Sequence, residues 1–365
     1  MTKCIRGLEL ITPFEDFRDD IVISDGIIQR IGSQICNDEI KVPKGKYIIP
    51  GLIDIHTHGI GGVLINEIND ISGYERIRDL YYSHGITTFI PTTISENTER
   101  LFHIAKILYE AKSVGIHLEG PLINPNKAGA HKFFTNRIND QILEISKLFK
   151  IKRITIASEI LSDKEIEILV DNFQVSLGHT DADANEARRA MGLGATSVTH
   201  LFNAMRQFHH RDPGIVGISL NTPIYAEIIP DLIHVNESVI EMVSKLKRDR
   251  LILVSDSLQA SGLGKGEFSL YGEKIICNEA CFSQDGKLVG SSITLDEGVR
   301  RLSKIIGLKD AIKYATYSPA SLFNLKSGQI AKGYMADLVV LDEDFNVLMT
   351  LKDGNIVFFS TFKNS

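Results

Sequence analysis

From residue 50 to residue 325, short apolar runs alternate with amphipathic stretches, and that alternation restricts the chain more than any other feature. Eight segments read as strands: 52–58, 86–92, 115–119, 154–158, 174–179, 196–200, 225–229 and 251–256. Between most of them lie helical patterns at 72–83, 98–112, 139–149, 163–171, 181–191 and 237–247, with apolar residues three to four apart. Ser162 and Thr180 stand where helix N-caps belong. Repeated β-α units imply a parallel sheet covered by helices. Eight of them in one α/β region predict a (β/α)8 TIM barrel, a fold of about 250 residues before insertions. An open doubly wound sheet fits less well, because no Gly-x-Gly-x-x-Gly follows the first strand.

Both ends of the chain have a different texture. Apolar runs at 21–23 and 27–31 flank Ser24-Asp25-Gly26, a hairpin signal. Near the C-terminus, 337–341 is a compact apolar run, and 346–350 and 356–360 flank the turn Lys352-Asp353-Gly354-Asn355. These predict a small β-sandwich domain built from residues 1–50 and 326–365, enclosing a barrel over residues 51–325.

A formal charge of −6 and a pI near 6.0 give no general attraction to nucleic acid or to an anionic membrane. Any site for an anion must therefore be a local cluster. The four cysteines, Cys4, Cys36, Cys277 and Cys281, lack zinc-site spacing and are expected to be ordinary reduced thiols. The first residues show no apolar run of signal-peptide length, and no stretch reaches the ~20 apolar residues that span a bilayer. A cytoplasmic protein is expected.

Metal-capable side chains fall at the ends of the expected strands. His56 and His58 close the first, Glu119 the third, His179 the fifth, His200 the sixth and Asp256 the eighth. Alternate residues on a strand share a face, so His56 and His58 point the same way. In a barrel of this kind the C-terminal strand ends meet at one mouth, where active sites lie. A lone histidine at a strand end is more often structural, and His84, His103, His117 and His234 show that the chain has others. Six ligand-type residues on five strands are not explained that way. Imidazole and carboxylate without thiolate suit Zn²⁺ or Fe²⁺. Water on such an ion has a pKa near ~7 and can attack at neutral pH, with Asp256 as general acid/base.

At these residues the chain resembles the N-acetylglucosamine-6-phosphate deacetylases of the amidohydrolase superfamily, and the resemblance covers nearly its whole length. The segment Pro50-Gly51-Leu52-Ile53-Asp54-Ile55-His56-Thr57-His58-Gly59 and the segment from Gly328 to Leu338 are similar to stretches shared across the superfamily. Four motifs are more specific: His117-Leu118-Glu119-Gly120-Pro121, Gly178-His179-Thr180, Thr199-His200-Leu201-Phe202-Asn203-Ala204-Met205 and His210-Arg211-Asp212-Pro213-Gly214. The resemblance implies Glu119, His179 and His200 as metal ligands and Asp256 as general acid/base. It implies Ala130 and His131 beside the acetamido carbonyl, which His131 helps to polarise. It places Asn203, Ala204, Arg211, Asp231 and His234 on the phosphosugar, with Gly290 and Ser291 touching substrate. Arg211 resembles an arginine supplied to the neighbouring subunit's site, which implies a homodimer. Because His56 and His58 are both present, the site is expected to hold one or two divalent ions per subunit.

The implied reaction releases acetate and a free amino sugar phosphate. A galactosamine counterpart differs at one hydroxyl and is not separated from it by any residue read here. A cyclic-amide hydrolase with a carbamylated lysine on the fourth strand is disfavoured, since that strand ends Ala157-Ser158-Glu159. A barrel that had become a non-catalytic scaffold would be expected to lack some of the six ligand-type residues.

Overall fold

The eight expected barrel segments do form strands, and they lie side by side in sequence order in one sheet. The computed structural model describes residues 2–33, 36, 38–43 and 47–360. The barrel strands are β1 (Leu52–Thr57), β2 (Ile86–Thr93), β3 (Gly115–Glu119), β4 (Ile151–Ile156), β5 (Gln174–Leu177), β6 (Ser197–Val198), β7 (Tyr225–Ile228) and β8 (Leu251–Leu253). Successive pairs from β2 to β8 are parallel. At the mouth the cylinder closes through two backbone bonds. Asp256 N–H donates to the His56 carbonyl at 2.9 Å and His58 N–H donates to the Ser257 carbonyl at 2.9 Å. These bonds set the ends of the first and last strands against each other.

Every residue of β1, β2 and β3 is buried, as expected for strands with side chains on two covered faces. The helices α1 (Ile71–Ser83), α2 (Thr98–Glu110), α3 (Asp140–Leu148), α4 (Asp163–Asn172), α5 (Ala184–Gly192), α6 (Gly214–Leu220) and α7 (Glu237–Lys247) follow β1 to β7 in turn. Their starts are chemically specified. Ser162 and Glu165 form a reciprocal capping box on α4, and Asp183 and Glu186 form one on α5. Thr180 is therefore not the α5 cap. Its hydroxyl donates to Glu159 and accepts from Ala182 N–H, while the helix begins four residues later.

Several strands are shorter than the sequence suggests. The expected 174–179, 196–200 and 251–256 end at Leu177, Val198 and Leu253. His179, His200 and Asp256 lie just beyond, with φ of 47°, 31° and 47°. A residue in the left-handed region cannot continue a β ladder.

After β8 comes an antiparallel sheet with no counterpart among the sequence expectations: Gly266–Leu270, Glu273–Cys277, Ala280–Ser283 and Leu288–Ser291. Its register sets Cys277 opposite Cys281, and the two are joined as a disulfide with Cα atoms 4.0 Å apart. Cys4 and Cys36 are likewise joined, with Cα atoms 6.0 Å apart. The expectation of reduced thiols is corrected. Strand pairing brings Cys277 and Cys281 together, although their spacing in sequence carries no signal.

Residues from both termini form a separate mixed sheet in which 47–50 lies between the N-terminal and C-terminal strands. Its core is aliphatic, including Ile21, Ile23, Ile48, Leu338, Val340 and Met349. The chain divides into two compact units, one of residues 1–54, 78–89 and 295–365, the other of 55–77 and 90–294. Every residue expected at the site belongs to the second. Among the described residues, no helix is long and apolar enough to cross a membrane.

Asp183 accepts from the backbone N–H groups of Asn185 and Glu186. Asp183→Ala should lower stability by about 1 kcal/mol, the usual worth of such a cap. Urea unfolding would show it as a fall in midpoint at constant slope.

Candidate active site

Glu119, the last residue of β3, is the hub of a buried cluster. Its Oε1 lies 3.3 Å from His56 Nε2, 3.3 Å from His179 Nε2 and 3.0 Å from His200 Nε2. Its Oε2 lies 3.2 Å from His58 Nε2 and 3.2 Å from His131 Nε2. Asp256 Oδ1 lies 3.2 Å from His58 Nε2 and 3.5 Å from His56 Nε2. The cluster forms because His56, His58, Glu119, His179, His200 and Asp256 lie at or just beyond the ends of β1, β3, β5, β6 and β8, which converge at the mouth, while His131 comes from the segment between β3 and α3. Gly178 permits this at β5. A Cβ there would meet Thr199 Cβ at 2.8 Å and Thr155 Cγ2 at 2.9 Å, so no larger residue lets the strands approach as they do.

The outward nitrogens of these rings fix what the inward ones can do. His58 Nδ1 lies 3.1 Å from the Thr92 carbonyl and His179 Nδ1 lies 2.8 Å from the Lys127 carbonyl. A carbonyl only accepts, so both Nδ1 atoms carry hydrogen and Nε2 is the nitrogen of each ring whose lone pair can face inward. His56 is held the same way by Glu227 Oε2, 3.1 Å from its Nδ1. Inward lone pairs thus face one another and two carboxylates. His200 Nε2 and His179 Nε2 are 3.1 Å apart, and His56 Nε2 and His58 Nε2 are 3.3 Å apart. Such a convergence of acceptors requires protons or a cation among them, and the donor set of imidazoles and carboxylates fits a divalent metal.

His131 has the opposite tautomer. The Ser95 backbone N–H donates to its Nδ1 at 3.0 Å, so the hydrogen sits on Nε2, facing Glu119. Although its ring nitrogen lies close to Glu119 and to a ring nitrogen of His179, it offers the cluster a donor and not a lone pair. Burial and the neighbouring His179 push its pKa down to about 4, so it is a neutral donor at physiological pH.

Within the cluster the histidines and carboxylates shift one another's protonation. Burial opposes protonation of His56 and His58, but Glu119 and Asp256 outweigh it and raise both above the ordinary histidine value. Burial would raise the Asp256 pKa, yet His56 and His58 hold it down at about 2. Glu227, with 0 % of its surface exposed, also resists ionisation through burial, and Arg153 and His56 overcome that and keep it low.

A cavity of about 380 Å³ opens onto the cluster. Its lining includes His58, Glu119, Ala130, His131, His179, His200, Asn203, Ala204, His234, Asp256 and Gly290. Four other expected residues are not among its lining: His56, buried with its Nε2 3.3 Å from Glu119 Oε1, and Asp231, Ser291 and Arg211. Asp231 is buried beneath His234, accepting from its Nδ1 at 2.5 Å and from its backbone N–H at 2.8 Å. Ser291 is buried and braces Asp256, donating its backbone N–H to the Asp256 carbonyl at 2.9 Å. Arg211 is exposed, with Nη1 2.9 Å from His210 Nε2, and is not among the lining residues. Sequence reading passed over Glu227, Arg153 and Lys127. A charged residue inside the apolar run Tyr225-Ala226-Glu227-Ile228 was the available signal for the first, and Arg153 before Ile154 for the second.

The sequence matches the amidohydrolase family over residues 47–357. It is 33 % identical to N-acetylglucosamine-6-phosphate deacetylase of Lysinibacillus sphaericus, covering 98 % of each chain. The solved N-acetylglucosamine-6-phosphate deacetylase of Thermotoga maritima superposes with a TM-score of 0.88 at 30 % identity, covering 98 % of this chain and 100 % of that one. A mutant Mycobacterium smegmatis deacetylase in complex with N-acetyl-D-glucosamine-6-phosphate gives 0.88 at 26 % identity, covering 98 % and 99 %.

Because His56 and His58 are protonated more readily than ordinary histidines when metal-free, a divalent ion must displace protons to bind. Zn²⁺ binding to chelator-treated protein should therefore release protons at neutral pH and weaken as pH falls. Calorimetry in buffers of different ionisation enthalpy measures this directly, and a pH-independent affinity between pH 8 and pH 6 would contradict it.

Proposed function

Because the chain belongs to the amidohydrolase family, we propose that this site performs the reaction named for its deacetylase relatives. It hydrolyses the acetamide of N-acetylglucosamine 6-phosphate to glucosamine 6-phosphate and acetate. The observation that carries this reading is the meeting of Glu119, His179, His200, Asp256 and the donor His131 on one cavity, beside the Asn203–Ala204 backbone.

Amidohydrolases generally depend on a divalent metal, and Glu119, His179 and His200 would hold it, with His56 and His58 available for a second ion. The donor types favour zinc or iron. A bound cation supplies Lewis-acid polarisation of the acetamide carbonyl and acidifies water. The protein's own groups do the rest. The Asp256 carboxylate takes a proton from the attacking water as its oxygen adds to the carbonyl carbon. It then returns that proton to the nitrogen as the C–N bond breaks, leaving acetate and a free amine. His131 donates its Nε2 hydrogen to the carbonyl oxygen as negative charge develops there. Its low pKa suits it to stay neutral throughout.

Asn203, Ala204 and His234 contact the phosphosugar, with Asp231 fixing the ring of His234. The cavity volume lies within the ordinary range for small-molecule sites. Arg211, exposed on its own chain, completes the phosphate contact in the partner's site of a homodimer. Arginine provides the planar fork that phosphate recognition favours.

Purified protein given Zn²⁺ should release acetate from N-acetylglucosamine 6-phosphate, and parallel kcat/KM values on the galactosamine epimer decide epimer preference. Asp256→Asn should lower kcat by about 10²–10⁴-fold with the melting temperature nearly unchanged. No acetate from folded, metal-loaded protein would defeat the assignment. Arg211→Ala should raise KM for the phosphorylated sugar far more than kcat falls. Mixing that variant with Asp256→Asn and allowing subunits to exchange should restore activity in mixed dimers, whereas unrestored activity would place Arg211 outside the partner's site.

A further inference from the structure

Beneath the mouth of the barrel lies an ion pair that the reaction does not use directly. Arg153 on β4 and Glu227 on β7 are both 0 % exposed, and the guanidinium meets Glu227 Oε1. Arg153 is also held by Ser176 Oγ at 2.8 Å and Ser197 Oγ at 3.2 Å. The other carboxylate oxygen, Oε2, faces two donors of the cluster: His56 Nδ1 at 3.1 Å and the His200 backbone N–H at 3.3 Å.

We propose that Glu227, neutralised by Arg153, is a positioning residue that fixes His56 with its Nε2 lone pair toward the metal site and ties the His200 backbone to the same point. The inference rests on the reading of His56 as a metal ligand. The physical reasoning is short. A buried neutral imidazole has two tautomers, and only one of them leaves Nε2 free to bind a cation. His58 and His179 are set by backbone carbonyls, which no substitution removes. His56 is set by a side chain, so its tautomer depends on residue 227. An ionised carboxylate is the strongest acceptor available, and it raises the basicity of the ligand nitrogen. Taken alone it would be a buried charge without a counterion, and Arg153 supplies that counterion.

Removing one member of a buried ion pair risks unfolding, so the test removes both. Arg153→Met with Glu227→Gln keeps an acceptor for His56, and the two donors at Oε2 orient the amide oxygen toward them. Arg153→Met with Glu227→Leu removes the acceptor at similar volume. Zn²⁺ affinity is measured by competition with a chromophoric chelator, with metal content by elemental analysis. The Gln double variant should bind within about threefold of the parent, and the Leu double variant should lose about 10–100-fold at the position that depends on His56. In a His56→Ala background the difference between the two should shrink to the part carried by the His200 backbone contact, whereas a general loss of packing would leave it unchanged. Equal affinity of the two double variants in the parent background overturns the inference. If His56→Ala alone binds zinc as the parent does, the ligand reading itself fails and takes the inference with it. Should the Leu variant not fold, long-range ¹H–¹⁵N imidazole spectra of the zinc-loaded parent decide. Hydrogen on His56 Nδ1 sustains the inference, and hydrogen on Nε2 refutes it.

Discussion

The structure is organised around a repulsion. Several imidazole lone pairs and two carboxylates are aimed at one small volume at the barrel mouth, within about 3.0–3.5 Å of one another. No arrangement of neutral polypeptide groups satisfies them, because all are acceptors. Protons or a cation must sit among them, and for His56, His58, His179 and His131 the role of the inward nitrogen follows from the outward bond of the ring. Where a carbonyl or carboxylate waits behind the histidine, the inward nitrogen offers a lone pair that can take a cation. Where a backbone N–H waits behind it, as Ser95 does behind His131, the inward nitrogen is a donor. Lone-pair and hydrogen-bond donors to the cluster are the same residue type, set apart by one backbone atom.

That mouth is supported by a polar layer beneath it. His117 is bonded to Thr92 Oγ1 at 3.2 Å and Thr155 Oγ1 at 2.8 Å, Thr155 to Thr199 at 2.8 Å, and Thr199 to Ser176 at 2.6 Å. Arg153 continues the chain from Ser176 to Glu227, and Glu227 returns it to His56. Polar groups inside a barrel are expensive unless each finds a partner, and a connected network limits every member to few orientations. Burial together with Arg153 and His56 pushes the His117 pKa well down, so it serves as a neutral link and adds no charge. The layer spans strands β1 to β7 and transmits one geometry to ligands that are far apart in sequence.

Much of this was legible in the chain itself. The strand count followed from the alternation of patterns, and the cluster followed from six residues at expected strand ends. What sequence could not supply was the identity of the partners behind them. The hydrogen bonds from His58 to the Thr92 carbonyl and from His179 to the Lys127 carbonyl involve backbone atoms, which leave no mark in residue type. The sheet between Gly266 and Ser291 was missed because its strands are short and half exposed, with no strong apolar run. The paired cysteines within it were missed for the same reason. Glu227 and Arg153 did leave a mark, as charges inside apolar runs, and that mark was the sharper clue to a buried network.

The positions where strand lengths were overestimated are those whose side chains meet in the cluster at the mouth. His179, His200 and Asp256 continue the apolar strand patterns in sequence, yet each takes a left-handed backbone conformation that ends the ladder. For residues other than glycine this costs on the order of 1–3 kcal/mol each. The closing bonds beside Asp256, the Ser291 brace on its carbonyl and the Glu227 contact to the His200 N–H hold these conformations in place. A regular strand would carry its next side chain along the barrel wall, alternating between core and helix layer. Turning the backbone at the last step instead swings the ligand over the mouth. The local rule that sequence reading relies on is broken at those residues because a packed interior and a converging ligand set require different backbone directions, and the strained step is where one gives way to the other.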